Sequence, residues 1–299
     1  MVENATLEKP QSLAPMSLPE QNPNIDISVL LPVRGRPIPM EQCLRTLIDT
    51  ATQPERIEVL IAFDDDDTDT IDYFVDVIAP YLDSKGVTYS AMQFKRLGYI
   101  RLHEYLNELA KHSSGAWFFF WNDDAIMPTQ AWDDVIRQYM DKFTLIRTDT
   151  NHEHPYAIFP ILPRKWVELT GHLSLHQLND AWISQIGWML DIVTTVPIMI
   201  EHERFDLTGK NNDDTFRNRP MLEGNPDHPR DFNHHTYRKQ RMQDAVTIAN
   251  YLVGLGYDLT HFKLGLENKI DIWEKMLSLD KKGLMRSWKT SEMDIGPNT

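Results

Sequence analysis

Four short apolar runs, separated by segments with helical periodicity, constrain the fold of this chain more than any other feature of its sequence. The runs cover residues 27–32, 57–63, 87–94 and 116–121. Runs of β-branched and aromatic residues bounded by turn residues are typical of buried strands. Because strands that alternate with helices form βαβ units, the pattern predicts an α/β fold with a mostly parallel sheet flanked by helices.

The second half of the chain is less regular and predicts a smaller mixed half. We expect strands at 156–162 and 196–200 and helices at 163–170, 178–190 and 236–254, with a long polar loop over 208–233. The organisation predicted from composition is a weakly ordered leader, a main α/β domain, a flexible loop or lid, and a helical C-terminal extension. Their boundaries are 1–24, 25–205, 206–235 and 236–299.

Composition narrows the classes of protein to which the chain can belong. The chain has 30 basic and 44 acidic residues, a net charge of −14, which disfavours nucleic acid as a partner although basic residues cluster within 217–241. One cysteine, Cys43, excludes an internal disulfide framework and a cysteine-based zinc cluster. No apolar run is long enough to span a membrane and no signal-peptide pattern opens the chain, so we expect a cytoplasmic protein.

Three of the predicted strands end in polar clusters, and this coincidence predicts where the chemistry lies. The clusters are Arg34-Gly35-Arg36, the acidic string 64–69, and Asn122-Asp123-Asp124. Ligands of open parallel sheets bind beyond the carboxyl ends of the strands. Neighbouring carboxylates repel one another and need a cation or hydrogen-bond donors nearby. Carboxylate oxygens suit Mg²⁺ or Mn²⁺, so we predict such an ion at Asp123 and Asp124.

Other metal and nucleotide motifs are absent from the sequence. A calcium loop starting at Asp65 would need Gly and Glu where the chain has Thr70 and Asp76. The chain contains no G-x-x-x-x-G-K-[ST], no G-x-S-x-G and no H-E-x-x-H. Each polar cluster taken alone also has a structural interpretation as a turn or helix cap.

The order of these features resembles that of family 2 glycosyltransferases of the GT-A fold, over residues 26–205. The second strand of that family usually ends in Asp-Asp-Gly-Ser-Thr-Asp, whereas this chain has Asp66 and Asp67 in place of the glycine and serine. Gly115 and the aromatic strand after it resemble the segment that leads to the family's Asp-x-Asp motif, with Asn122 in the first position. The resemblance implies a GT-A fold in which residues 25–205 form the nucleotide-sugar and catalytic domain.

The resemblance also implies roles for individual residues. Asp124, helped by Asp123, would bind the metal ion, and His202 looks like the late histidine that completes that site. Asp180, in Asn179-Asp180-Ala181-Trp182, is similar to the acid that acts as base in the acceptor half. The donor nucleotide would be bound by Pro32, Arg34, Asp64, Asp65, Arg96, Arg101 and Asp123.

The implied activity is metal-dependent, inverting transfer of a sugar from a nucleotide-diphosphate sugar, with a UDP-sugar as the first expectation, to the hydroxyl of an unknown acceptor. The protein would be a hexosyltransferase using Mn²⁺ or Mg²⁺ to neutralise the leaving diphosphate, while Asp180 takes the proton of the acceptor. Two alternatives remain at this point. One is a sugar nucleotidyltransferase, because Arg34-Gly35-Arg36 weakly resembles the Gly-rich, Arg-containing loop of that class. The other is a catalytically silent module that binds a sugar or nucleotide.

Overall fold

The computed structural model describes residues 18–151, 154, 156–203 and 231–259. One curved sheet of eight strands runs through this part of the chain, in the order β3-β2-β1-β4-β7-β6-β8-β5. The strands are β1 (Ile27–Val33), β2 (Ile57–Asp64), β3 (Thr88–Phe94), β4 (Trp117–Phe120), β5 (Ala125–Ile126), β6 (Leu145–Thr150), β7 (Ile161–Pro163) and β8 (Val193–His202).

Six of these strands point the same way. β1, β2, β3 and β4 form one parallel block, β6 and β8 form another, and β7 lies between the blocks, antiparallel to both of its neighbours. β5 pairs antiparallel with the end of β8. The carboxyl ends of six strands therefore face one edge of the sheet, as the sequence predicts for a ligand site.

Helices cover both faces of the sheet. They are α1 (Pro37–Asp49), α2 (Thr68–Tyr73), α3 (Ala79–Ser84), α4 (Leu102–His112), α5 (Trp132–Arg137), α6 (Arg164–Thr170), α7 (Asn179–Leu190) and α8 (His235–Gly254). A π-helical segment, Phe74–Ile78, joins α2 to α3, and short 3₁₀ helices, Pro54–Arg56 and Tyr99–Arg101, precede β2 and α4. Within the described residues, none of the helices combines the length and hydrophobicity that crossing a bilayer requires.

The core consists of two apolar layers on opposite sides of the sheet. The side chains of Leu30, Phe118 and Leu162 pack in one layer with α4, α6, α7 and α8. Those of Val29 and Phe119 pack in the other with α1 and α5. Alternate residues of β1 and β4 enter opposite layers, which explains why both strands are apolar without a polar face.

Gly115 allows the chain to enter β4 close against β1. A Cβ atom at this position would lie 2.5 Å from Ser28 Oγ and 2.9 Å from the Ser28 nitrogen. The Gly115 N–H instead donates to Ser28 Oγ at 2.9 Å and to Glu58 Oε1 at 2.9 Å. Close backbone approach therefore requires glycine at this strand entry.

The α/β, mostly parallel sheet predicted from the sequence is confirmed, with two kinds of difference after β4. The predicted strand 156–162 is wrong for most of its length, because strand structure begins only at Ile161 and residues 156–160 are irregular. The Ala157 N–H donates to Ser184 Oγ at 2.9 Å instead of to a strand. β6 and α5 were not predicted, because Leu145–Thr150 is mostly polar and Trp132–Arg137 is short.

Several predicted segments fall outside the described residues. They are most of the leader 1–24, nearly all of the predicted loop or lid 206–235, and the end of the C-terminal extension 236–299. The first part of that extension is α8, which packs against α6 and α7. The division of the chain into domains stays a prediction.

Candidate active site

The first part of the site is an ion-paired cluster at the ends of β1 and β2. Asp64 is the last residue of β2 and its side chain is only 4% exposed. Arg34, just beyond β1, donates from Nη1 to Asp64 Oδ2 at 2.8 Å, while the hydroxyl of Tyr105 on α4 donates to Oδ1. Burial and this hydrogen bond raise the pKa of Tyr105 to about 12, so the phenol remains a donor at neutral pH. Asp64 is thus held in one orientation.

The remaining residues of the acidic string have separate partners. Arg34 also donates from Nη2 to Asp66 Oδ2 at 3.1 Å, and Arg96 Nη1 lies 3.9 Å from the same oxygen. Asp67 Oδ2 accepts from the N–H of Gly35 at 2.6 Å. Asp65 is exposed and uses its own N–H to bond to the carbonyl of Phe94 at 2.7 Å. The pKa of Arg34 is raised, with its hydrogen bond to Asp66 as the largest cause. Protein groups therefore offset much of the repulsion in this string.

The second part of the site is the acidic pair that follows β4. Arg36 bridges the pair through a single nitrogen, because Nη1 donates to Asp123 Oδ1 at 2.8 Å and to Asp124 Oδ2 at 3.3 Å. The side chains of Arg36, Asp123 and Asp124 are 13%, 12% and 10% exposed. Their partial burial strengthens the attraction relative to that of a surface pair.

His202 joins the acidic pair from the end of β8. Its Nε2 lies 3.1 Å from Asp124 Oδ1 and 3.4 Å from Asn122 Nδ2. Two contacts hold the backbone of His202 in place. Its N–H donates to Asn151 Oδ1 at 3.0 Å, and the residue pairs with Ala125 of β5. The ring packs edge-on against Phe159. The short β5–β8 ladder is what brings this histidine to Asp124.

The electrostatics of Asp124 favour its charged form. Burial by itself raises the pKa of this carboxyl, but the hydrogen bond with His202 and the attraction of His202 and Arg36 outweigh it and hold the pKa below the usual 3.8. Asp124 is therefore a carboxylate at neutral pH, the form that binds a metal ion or a cationic group.

Asp124 and His202 fit a divalent ion that takes few ligands from the protein. The 3.1 Å between Oδ1 and Nε2 suits two neighbouring ligands of one ion with bonds of about 2.1 Å. Within the ranges that the structure describes, no three His, Cys, Asp or Glu side chains are grouped as a complete metal centre. Mg²⁺ and Mn²⁺ commonly take one or two protein carboxylates and complete their shell with phosphate and water, so two protein ligands are compatible with such an ion.

Three further predicted site residues lie in α7, just before α4 and in β1. Asp180 is the second residue of α7 and is half-buried in its first turn. Arg101 is exposed and donates to Glu104 of its own segment, with Nη2 2.5 Å from Oε2. Pro32 is partly buried within β1, opposite Ala62 of β2. Whether these three residues contact a ligand stays a prediction.

The sequence did not indicate that Tyr105 contacts Asp64 or that Arg36 pairs with Asp123 and Asp124. Tyr105 occupies a buried position in the apolar stripe of α4, so its sequence position indicates only a core residue. Its hydroxyl reaches Asp64 and also accepts from the N–H of Leu97 at 2.8 Å. Arg36 is recognisable in sequence as a possible phosphate contact, but its pairing with Asp123 and Asp124 depends on the tertiary structure.

The sheet and its flanking helices have a GT-A fold. The crystal structure of S. aureus TarS 1–349 in complex with UDP-GlcNAc is similar to it with a TM-score of 0.50 and 12% sequence identity, covering 76% of this chain and 67% of that one. The mannosyltransferase PcManGT from Pyrobaculum calidifontis, in complex with GDP-Man and Mn²⁺, gives a TM-score of 0.49 at 14% identity, covering 95% and 92% of the two chains.

Other comparisons are more limited. TarS 1–349 without a named ligand matches with a TM-score of 0.48 at 12% identity and 60% coverage of each chain, and 36% of the longer TarS structure is covered. The chain therefore spans less than two thirds of these TarS structures. No protein-family model and no curated protein matches the sequence.

Proposed function

We propose that this protein is a metal-dependent, inverting glycosyltransferase that uses a nucleotide-diphosphate sugar as donor. One observation carries the proposal. The GT-A sheet brings two sets of groups to its carboxyl edge, namely the oriented carboxylate of Asp64 and the Asp124–His202 pair. The first set suits a polar base or ribose, and the second suits a diphosphate with its cation.

The donor base would be bound beside Asp64. Both of its oxygens are engaged, by Tyr105 and Arg34, yet each retains a lone pair that can accept an N–H of a nucleobase. A carboxylate fixed in advance loses little entropy when it binds the base. Asp65, Arg96 and Arg101 would contribute around this position, and Pro32 would line it. Since TarS is named in complex with UDP-GlcNAc, UDP-sugars are the first donors to test.

The diphosphate would lie at the acidic pair, where Asp124 and His202 would hold Mn²⁺ or Mg²⁺, with Asp123 beside them. When bound, the ion would supply Lewis-acid stabilisation of the charge that develops on the leaving diphosphate. Arg34 and Arg36 lie on the same edge and can donate to phosphate oxygens, which are the acceptors that guanidinium groups match best.

The acceptor would bind on the side of α7. A hydroxyl is a weak nucleophile at neutral pH, so a positioned carboxylate must take its proton as the bond to the anomeric carbon forms. Asp180, in the first turn of α7, is the residue we assign to this role. Attack from the face opposite the leaving diphosphate inverts the configuration at that carbon in one displacement.

The two alternative functions predict different behaviour. A nucleotidyltransferase needs free backbone N–H groups in its glycine-rich loop to bind phosphate, whereas the N–H of Gly35 already donates to Asp67. Nothing in this loop therefore favours that activity. A silent binding module would bind nucleotide without turnover and would be insensitive to changes at Asp180.

The test combines binding and turnover. UDP and GDP are titrated calorimetrically with and without Mn²⁺, and UDP-GlcNAc, UDP-glucose and GDP-mannose are then incubated with a panel of hydroxyl acceptors while NMR follows the anomeric proton. We expect nucleotide binding that requires the ion, release of nucleoside diphosphate, and an inverted anomeric configuration in the product. A lack of ion-dependent binding for every nucleotide, or release of pyrophosphate from a nucleoside triphosphate and a sugar phosphate, would contradict the proposal.

A further inference from the structure

We propose that Arg36 is a resident counter-ion, which holds Asp123 and Asp124 together in the free protein and competes with the divalent ion for them. This inference rests on the proposed function and adds a mechanism for ordering the binding events. Arg36 would leave the acidic pair when the ion binds and would donate to the donor diphosphate instead. Metal and donor would then bind cooperatively, and the ion alone would bind weakly.

Geometry supports the competition. Arg36 Nη1 contacts Asp124 Oδ2 at 3.3 Å, while the other oxygen of the same carboxylate, Oδ1, faces His202. A cation held between Asp124 and His202 would therefore lie on the carboxylate that Arg36 already contacts. Two positive groups on a carboxylate only 10% exposed repel each other at short range, with little screening by water.

Charge balance explains the coupling to the donor. The two carboxylates and the guanidinium together carry one net negative charge. Adding a divalent ion alone would reverse this charge in a partly buried site, which is unfavourable. The negative charge of a diphosphate would offset the combined positive charge of the divalent ion and Arg36. The ion and the donor should therefore each increase the affinity for the other.

The position of Arg36 allows such a movement. It is the residue before α1 and directly follows Gly35, which has a φ of 64° in the left-handed region. Its guanidinium points to the acidic pair. The long side chain can thus reorient without unwinding α1, whose start is fixed by Pro37.

The experiment measures Mn²⁺ binding to the full chain by electron paramagnetic resonance of the free ion, without nucleotide. Arg36→Gln is expected to bind Mn²⁺ about tenfold more tightly than the wild type, because the competing charged hydrogen bonds are gone. UDP at saturating Mn²⁺ is expected to bind this variant about tenfold more weakly, because a phosphate contact is lost. If Arg36 only stabilised the fold, Arg36→Gln would bind both Mn²⁺ and UDP more weakly.

Arg45→Gln is the matched control. It removes one positive charge from α1, the helix that follows Arg36, where Arg45 pairs with Glu41, and should leave Mn²⁺ affinity as in the wild type. The proposal is overturned if Arg36→Gln binds Mn²⁺ no more tightly than Arg45→Gln. Should Arg36→Gln not fold, Arg36→Lys replaces it, because an ammonium is a more compact cation that matches carboxylates less well. Its Mn²⁺ affinity must then exceed that of the wild type, and an equal or lower affinity overturns the proposal.

The outcome separates this inference from the proposed function. Tighter Mn²⁺ binding by Arg36→Gln, in a protein that binds no nucleotide, supports the resident counter-ion and contradicts the glycosyltransferase. Ion-dependent UDP binding in the wild type, with Mn²⁺ affinity unchanged in Arg36→Gln, supports the glycosyltransferase and contradicts the resident counter-ion.

Discussion

His202 Nε2 lies 3.1 Å from Asp124 Oδ1, although Asp124 follows β4 and His202 ends β8, two strands from different blocks of the sheet. β5, only two residues long, makes the connection by pairing Ala125 with His202. The N–H of Glu203 adds a hydrogen bond to the carbonyl of Asp124 at 2.8 Å. Backbone hydrogen bonds therefore position the pair on both sides.

Asp124→Asn should abolish most of the metal-dependent activity. The amide lacks the negative charge that binds the ion, so we expect turnover to fall by about 100-fold or more and Mn²⁺ binding to be lost. Steady-state kinetics over a range of Mn²⁺ concentrations measures both effects. Asp72→Asn, an exposed change on α2, is the control and should behave as the wild type. Undiminished Mn²⁺ binding by Asp124→Asn would remove this residue from the metal site.

Asp180→Asn should separate binding from chemistry. Loss of a general base is expected to lower kcat by about 100-fold or more, while the affinity for the nucleotide stays within a factor of about two. Calorimetry and steady-state kinetics give the two quantities. Asp191→Asn offers a matched control just after the other end of α7, where the residue is exposed and asparagine tolerates its left-handed conformation. Equal turnover of the two variants would refute the role of Asp180.

Tyr105→Phe should weaken nucleotide binding without unfolding the protein. Removing the hydroxyl leaves Asp64 Oδ1 without the donor that orients it, and a loss of about tenfold in UDP affinity is expected. Tyr81→Phe is the control, because its hydroxyl donates to Asp49 at 2.9 Å at the far end of α1. The titrations are interpreted together with thermal unfolding curves. If both variants bind UDP equally well, Tyr105 does not position the base-binding carboxylate.

Gly115→Ala should destabilise the sheet where β4 begins. The new methyl group would meet the Ser28 backbone nitrogen at 2.9 Å, and neither strand can move without breaking the β1–β4 ladder. We expect a loss of about 3 kcal/mol in the free energy of unfolding, measured by urea denaturation. Gly254→Ala, at the end of α8 with open space around it, should be neutral or slightly stabilising. Similar stabilities for the two variants would contradict the close contact at Gly115.

Asp133 should contribute to stability at neutral pH and lose that contribution in acid. Burial raises the pKa of this carboxyl, but the N–H groups of Thr52 and Gln53 and the guanidinium of Arg137 outweigh the effect and lower it below 3.8. A lowered pKa stabilises the folded state above the unfolded value and loses its effect as pH falls through the folded value.

Urea denaturation between pH 7 and pH 2 tests this expectation. Asp133→Asn should be less stable than the wild type at pH 7 and should lose less stability below about pH 4. Asp141→Asn, an exposed change after α5, should follow the wild-type curve. Parallel pH curves for the wild type and Asp133→Asn would show that the charge of Asp133 does not stabilise the fold.

The parallel half of the fold was predictable because its strands are buried on both faces. β1, β2 and β4 lie within two residues of their predicted bounds, and their apolar runs need no partner to be recognised. β6 and β5 could not be found in this way. β6 contains Arg147 and Asp149, and β5 is two residues long, so their strand structure depends on pairing with β8.

The site was predictable as a location more than as a set of contacts. Polar clusters at three strand ends indicate the edge of the sheet correctly, because parallel strands end on the same side. Which positive group contacts the carboxylates depends on the tertiary structure: Arg36 contacts both residues at which the sequence predicts a metal ion. Arg101, which the resemblance assigns to the nucleotide, pairs with Glu104 three residues along its own segment.

The antiparallel strand β7 has a mechanical consequence. Because it is hydrogen-bonded to β4 on one side and to β6 on the other, the two parallel blocks cannot hinge against each other without rupturing main-chain bonds. If the protein acts as proposed, rearrangement on substrate binding is therefore expected in segments at the edge of the sheet, while Asp124 and His202, which come from different blocks, keep their spacing.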